Sequence, residues 1–246
     1  MSKFAVIIPA AGQSSRFGGM EKKPFVGLDG RPIWQRSAEL FWSRPDVSRV
    51  YLVLSPEDLD SFRSRFGHLL AFTNAEIVEG GSERFESVAN ALAKVSEDVK
   101  FVAVHDAVRP MVTNKQIEAV FAAASETGAA MLAVPLADTL KRVEANVIVE
   151  TIPRAGLWQA QTPQVFRRDW LVAAYANRSK LGIAITDDAQ LIEASGHAVT
   201  VVPGSASNFK ITTKDDLELA EMVMKARAKP VDERPAARGF ADEGEW

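Results

Sequence analysis

Arg16 and Lys23 stand behind a loop of small residues, Ala10-Ala11-Gly12, which itself ends the apolar run that starts at Phe4. Backbone N–H groups that a ligand can approach, with a guanidinium and an ammonium beside them, are the parts of a polyphosphate site. Solvated surface charge is the plain alternative for both cations. Gly80-Gly81-Ser82, with Ser87 a helical turn further on, could let a flat base lie against backbone and meet a hydroxyl, or could be a helix cap alone. In His105-Asp106-Ala107-Val108-Arg109-Pro110 the Asp106 carboxylate suits a magnesium ion or a ribose hydroxyl, and the planar fork of Arg109 suits a phosphate. The two can also simply pair with each other. His105 reads as a packed or hydrogen-bonded histidine rather than a base. Thr186-Asp187-Asp188 can cap a helix or touch a ligand. Lys210, in Asn208-Phe209-Lys210, can reach a phosphate or solvent.

These clusters need a common platform, and the rhythm of the chain supplies one. Apolar runs at 4–8, 50–54, 75–78, 101–104 and 129–134 read as strands. Helical signals fall between them. Ser55-Pro56-Glu57-Asp58 looks like an N-cap, a first-turn proline and first-turn acids, Ser82 can cap a helix, and Thr113 to Gln116 has capping-box spacing. Helices are also expected near 169–176, at 187–194 and from the Thr213 cap to about 228, with a strand at 198–202. The fold class is α/β, a mostly parallel sheet with helices on both faces. In such sheets ligands bind beyond the carboxyl ends of the strands, where the polar clusters fall. Runs at 139–143 and 147–151 interrupt the pattern and predict a β-hairpin arm within about 137–157. A lone hairpin is marginal in water, so it needs a second subunit or its own domain as support. Residues 1–228 form one domain with no internal linker. The Pro-, Ala- and charge-rich segment 229–246 is expected to be a disordered tail.

The 246 residues are 47% apolar and 25% charged with a net charge of −3, so no nucleic-acid partner is expected. Cysteine is absent, which excludes disulfides and thiolate chemistry. With no leader-like segment and no run of ~20 apolar residues, a cytoplasmic protein without membrane contact is expected. The first loop matches neither G-x-G-x-x-G nor the P-loop pattern.

Taken in order, the clusters carry a resemblance. Pro9-Ala-Ala-Gly12 with Arg16 and Lys23, the Gly80–Ser87 and His105–Pro110 segments, Asp138-Thr139-Leu140-Lys141-Arg142, Arg154 through Gln164, Thr186-Asp187-Asp188 and Asn208-x-Lys210 resemble the 2-C-methyl-D-erythritol 4-phosphate cytidylyltransferase family over about residues 3 to 225. The resemblance implies a nucleotidyltransferase fold, magnesium, and CTP and a polyol phosphate as substrates in isoprenoid precursor synthesis. It implies a homodimer whose arms embrace. Arg16, Lys23 and Lys210 would then be catalytic. Ala10, Ala11, Gly12, Gly81, Ser82, Ser87 and Asp106 would bind CTP, with Asp106 as the metal ligand. Arg109, Thr139, Arg154, Thr162 and Thr186 would hold the acceptor, partly across the dimer. A cytidylyltransferase for another polyol phosphate such as ribitol 5-phosphate, or a non-catalytic nucleotide-binding relative, would share most of these residues. The chain departs from the family where Ser14 and Ser15 replace a glycine and a base, and where Pro24 follows Lys23 and removes a backbone donor.

Overall fold

The structure is a computed structural model that describes residues 3–12, 22–181 and 185–228. Arg16, Ser14, Ser15 and the expected tail at 229–246 lie outside the described residues.

A seven-stranded sheet organises the molecule. Its strands are β1 (Phe4–Pro9), β4 (Val47–Leu54), β5 (Ala75–Glu79), β6 (Phe101–Val104), β7 (Ala129–Pro135), β10 (Trp158–Arg167) and β11 (Thr200–Pro203). The short pair β2 (Gly27–Leu28) and β3 (Arg31–Pro32) and the arm strands β8 (Leu140–Glu144) and β9 (Val147–Ile152) lie apart from it. The order is β11-β7-β10-β6-β1-β4-β5. Every strand runs parallel to the rest except β10, which is antiparallel to both β6 and β7. The sheet is therefore mostly parallel, as the alternating pattern predicts.

Strand alternation assigns the two faces. Phe4, Val6 and Ile8 point to one side, where α1 (Ile33–Trp42), α2 (Leu59–Leu70) and α4 (Asn114–Thr127) contribute Trp34, Phe41, Phe62, Ile117 and Phe121. Ala5 and Ile7 point to the other, against Val88 and Leu92 of α3 (Arg84–Leu92), Leu171 of α5 (Arg168–Asn177) and Ile192 of α6 (Asp188–Ala194). The last helix, α7 (Lys214–Ala228), packs Ala220 on a smaller cluster with Ile33, Met111 and Ile211. Thr113 closes the expected capping box with Gln116. The cap of α3 is one residue later than expected: Glu83, not Ser82, shares a capping box with Glu86, and the Ser82 hydroxyl donates to Glu86 instead. Among the described residues no helix is long and apolar enough to cross a membrane.

The arm turns on two residues, Ala145 (φ 47°) and Asn146 (φ 65°), between the paired Glu144 and Val147. Two consecutive left-handed residues match the twist of a tight hairpin. At the end of α4, Gly128 has φ +92°, its N–H reaches the Ala124 carbonyl, and a Cβ there would run into the Trp170 ring. Gly128→Ala should therefore lose about 1–3 kcal/mol of stability through left-handed strain and displacement of the indole. Chemical unfolding measures it, and an unchanged midpoint would refute the steric account.

Candidate active site

The carboxyl ends of β1, β5 and β6 open on one cleft of about 280 Å³. Ala10, Ala11, Gly12, Lys23, Gly81, Ser82, Arg84, Ser87, Asp106 and Lys210 line it. Most of the residues expected to handle the nucleotide thus converge from five separate stretches of chain.

Backbone bonds fix these loops. The Ala10 N–H donates to the Val53 carbonyl, Gly80 N–H to that of Leu54, and His105 N–H to that of Ile7. Ala10 is therefore already committed, and the anion-binding N–H groups expected of the loop begin at Ala11. The Gly81 N–H donates to the buried Ser87 hydroxyl at 3.2 Å. A Cβ on Gly80 would stand 2.8 Å from that hydroxyl oxygen and 3.1 Å from the Leu54 carbonyl, so the glycine is needed for the loop to lie this close. Lys23 opens a 3₁₀ turn, Lys23–Phe25, with Pro24 in its first turn. A helical first turn does not use that N–H, so Pro24 is accommodated there without loss.

Asp106 is the electrostatic centre. Its Oδ2 lies 3.2 Å from Arg109 Nε and 3.2 Å from Lys210 Nζ. Burial opposes its charge, but Lys210, Arg84 and Arg109 outweigh that and hold the carboxyl well below the usual carboxylate range. Among the described residues nothing bonds to its Oδ1. Arg109 also donates to the Asn208 carbonyl at 2.8 Å, so the ion pair foreseen as the plain alternative does form. Arg84 donates to the buried Asp188 at 2.8 Å, and the Tyr175 hydroxyl holds the other oxygen of that carboxylate at 2.5 Å. Asp188 is thus an internal partner, while Asp187 caps α6 through the Gln190 N–H.

Thr162 lies in an irregularity of β10 between Ala160 and Gln164 that turns its side chain under the cleft. Its Oγ1 accepts the Asp106 N–H at 3.1 Å and lies 3.1 Å from His105 Nδ1. His105 Nε2 faces the Arg109 carbonyl at 3.1 Å, so Nε2 carries the proton, and the Thr162 hydroxyl donates to Nδ1. Thr162 therefore holds Asp106 and does not line the cleft. Thr139 and Arg154 are exposed at the ends of the arm, away from the cleft, and exposed Thr186 lines a neighbouring pocket that shares Glu83 and Arg84 with it. Gln161, Gln164 and Asn208, quoted in the sequence without a role of their own, are buried and tie β10 to the loops before Lys210 and α6.

Burial, opposed by Asp106, lowers the His105 pKa from 6.5 to about 4. Between those values the unfolded chain binds more protons than the folded one, so stability rises with pH across that window. On acidification from pH 6.5 to 4, His105 should cost up to about 3 kcal/mol. Urea unfolding at pH 7, 6 and 5 should show the slope, and His105→Gln should flatten it. An equal slope in the variant would refute the assignment.

A family model described as 2-C-methyl-D-erythritol 4-phosphate cytidylyltransferase matches residues 4–226. The chain belongs to that family. As a cytidylyltransferase it is 39% identical over 227 residues to the 2-C-methyl-D-erythritol 4-phosphate cytidylyltransferase of Bacillus velezensis, which covers 92% of this chain and 97% of that one. It is 41% identical over 231 residues to the protein of the same name from Rhodopirellula baltica, covering 89% and 94%. The crystal structure of the Francisella tularensis 2-C-methyl-D-erythritol 4-phosphate cytidylyltransferase superimposes with a TM-score of 0.76 at 32% identity, over 90% of this chain and 99% of that one. The nucleotidyltransferase fold expected from sequence is the fold of this cytidylyltransferase.

Proposed function

We propose that this cleft transfers CMP from CTP to 2-C-methyl-D-erythritol 4-phosphate, giving the CDP-linked alcohol and pyrophosphate. The observation that carries the reading is one cleft lined by three cations, Lys23, Arg84 and Lys210, with the ionised Asp106 carboxylate against Lys210. A phosphate oxygen of the acceptor attacks the α-phosphorus of CTP, and the bond to the bridging oxygen of pyrophosphate breaks. The attacking oxygen is already anionic near neutrality, so positioning and charge stabilisation dominate over proton removal. Lys23, with Arg16, holds the triphosphate as charge moves onto pyrophosphate, and Lys210 stands at the α-phosphate. The small loop and Gly81–Ser87 receive the cytosine. Arg109, Thr162 and Thr186 serve the acceptor, Thr162 through Asp106.

Asp106 is the residue that would hold magnesium, whose charge would neutralise the triphosphate. No group of three or more acidic, histidine or cysteine side chains gathers for a metal among the described residues. One carboxylate fits an ion that takes its other ligands from phosphates and water. The arm leaves Val143, Val147, Ile148, Val149 and Trp158 each about half exposed or more. A second copy would cover them, forming a homodimer and bringing Thr139 and Arg154 to the partner's acceptor pocket.

Magnesium-dependent pyrophosphate release from CTP, with methylerythritol 4-phosphate and ribitol 5-phosphate in parallel, tests the reading. Preference for the first is expected. Preference for ribitol 5-phosphate would overturn the substrate, and CTP binding without release would overturn the chemistry. Sedimentation at micromolar concentration should give a dimer, and Ile148→Lys should weaken it.

A further inference from the structure

Lys22 and Lys23 are neighbours with opposite outlooks. Lys23 is almost buried and lines the cleft, whereas Lys22 turns away toward the loop after β4. There its Nζ meets Asp58 Oδ2 at 2.7 Å, Glu57 Oε1 at 2.9 Å and Ser55 Oγ at 3.0 Å. The Ser55 hydroxyl in turn donates to Asp58 Oδ2 at 2.5 Å.

Ser55 and Asp58 both stand where helix caps are expected. Ser55 precedes the 3₁₀ turn Pro56–Asp58 and Asp58 precedes α2, yet neither side chain accepts a helix N–H. Each forgoes a cap, ordinarily favourable, in order to face the ammonium. Burial opposes the Lys22 charge, but Asp58 and Glu57 outweigh it and raise its pKa. The backbone of Lys22 is tied to the same task. Its carbonyl accepts the Phe25 N–H at 2.9 Å, which closes the turn that carries Lys23. The turn is also held by Phe25, packed near Phe62 and Phe66, and by the Val26 carbonyl just after it, which accepts the Ile33 N–H. The apolar contact is not directional, whereas the Lys22 contacts are, and they act on the residue next to Lys23.

We propose that Lys22 is a positioning residue, latched by Ser55, Glu57 and Asp58, that sets the height of the Lys23 ammonium in the cleft. This rests on the catalytic role given to Lys23 above. A cation displaced by a fraction of an ångström still binds a triphosphate but meets the transition state poorly, so the effect belongs in kcat.

The test compares Lys22→Met, Lys22→Arg, Asp58→Asn, the Lys22→Met/Asp58→Asn pair and Lys23→Met for kcat, KM for CTP and melting temperature. Lys22→Met should lower kcat about tenfold, with KM for CTP and the melting temperature little changed. Asp58→Asn should do much the same, the pair should be no worse than either single change, and Lys22→Arg should restore most of the rate. Full kcat in Lys22→Met beside a disabled Lys23→Met would overturn the latch and leave the Lys23 reading standing. A loss of rate that follows melting temperature and is not restored by arginine would mark Lys22 as merely structural, and would also overturn the latch. Normal turnover in Lys23→Met would bring down both.

Discussion

Lys23→Ala should lower kcat by about 10²–10³-fold, the cost of losing one preorganised group aimed at developing charge. The lysine is only 8% exposed, and its turn is closed by the Phe25 and Val26 N–H groups, so its ammonium is presented to the cleft by backbone rather than held loosely from solvent. Little of the reorganisation that weakens a surface cation remains to be done at the moment of transfer. KM for CTP should change far less than kcat, because Arg84 and Lys210 still line the cleft. Lys23→Arg should recover only part of the rate, since a planar fork does not fill the place of a compact ammonium. Pyrophosphate release under saturating substrates decides it. Near-normal turnover in the alanine variant would remove Lys23 from the mechanism.

Asp106→Asn should reduce kcat/KM by about 100-fold and destabilise the fold by as much as about 3 kcal/mol, since it leaves the half-buried Arg109 without its anion. The kinetic loss should fall on CTP and acceptor alike, because Arg109 and Lys210 are both oriented by the one carboxylate oxygen. The wild-type pH profile supplies a second check. The Asp106 carboxyl is held below its ordinary 3.8, so its contribution to stability is complete above that value and is lost as pH falls through the folded range. It follows that no acid limb of kcat between pH 5 and 7 should come from Asp106. An acid limb there that Asp106→Asn abolishes would contradict its ionised state.

The strands flanking the nucleotide cleft were readable because burial on both faces leaves unbroken apolar runs, as in Ala5–Ile8 and Val50–Leu54. Glycine and serine clusters marked the loops at their ends. β10 escaped notice although it lies inside the sheet. Its Gln161, Thr162 and Gln164 are buried for their hydrogen bonds, so neither alternation nor an apolar run reveals it. α1 begins without a capping signal, and only the helical spacing of Ile33, Trp34, Ala38 and Phe41 marks it in the sequence. In the site, residue types could say that Asp106 and Arg109 suit ligands or each other. Only the fold brings Lys210 and Arg84 to the same carboxylate, over about a hundred residues in one direction and twenty in the other. Ser55 stands at the expected N-cap position with Asp58 in the first turn, but the Ser55 hydroxyl makes no cap bond, because a lysine distant in sequence competes for it.

β10 is also a seam in time. Strands β5, β4, β1 and β6 all lie within residues 4–104 and pair only with one another on that side, while β7 and β11 join them solely through β10. On a ribosome adding ~5–20 residues per second, the first four strands exist for several seconds before the strand that unites the two parts has been made. The glycine loops and Asp106 belong to the early assembly, whereas Thr162 and Lys210 arrive with or after the seam. The nascent chain is therefore expected to shape first the part of the cleft carried by the first four strands and to complete it only when the later half closes against it. Pulse-labelled hydrogen exchange should then protect β1 and β4 before β7, and simultaneous protection would show that the sheet forms as one unit.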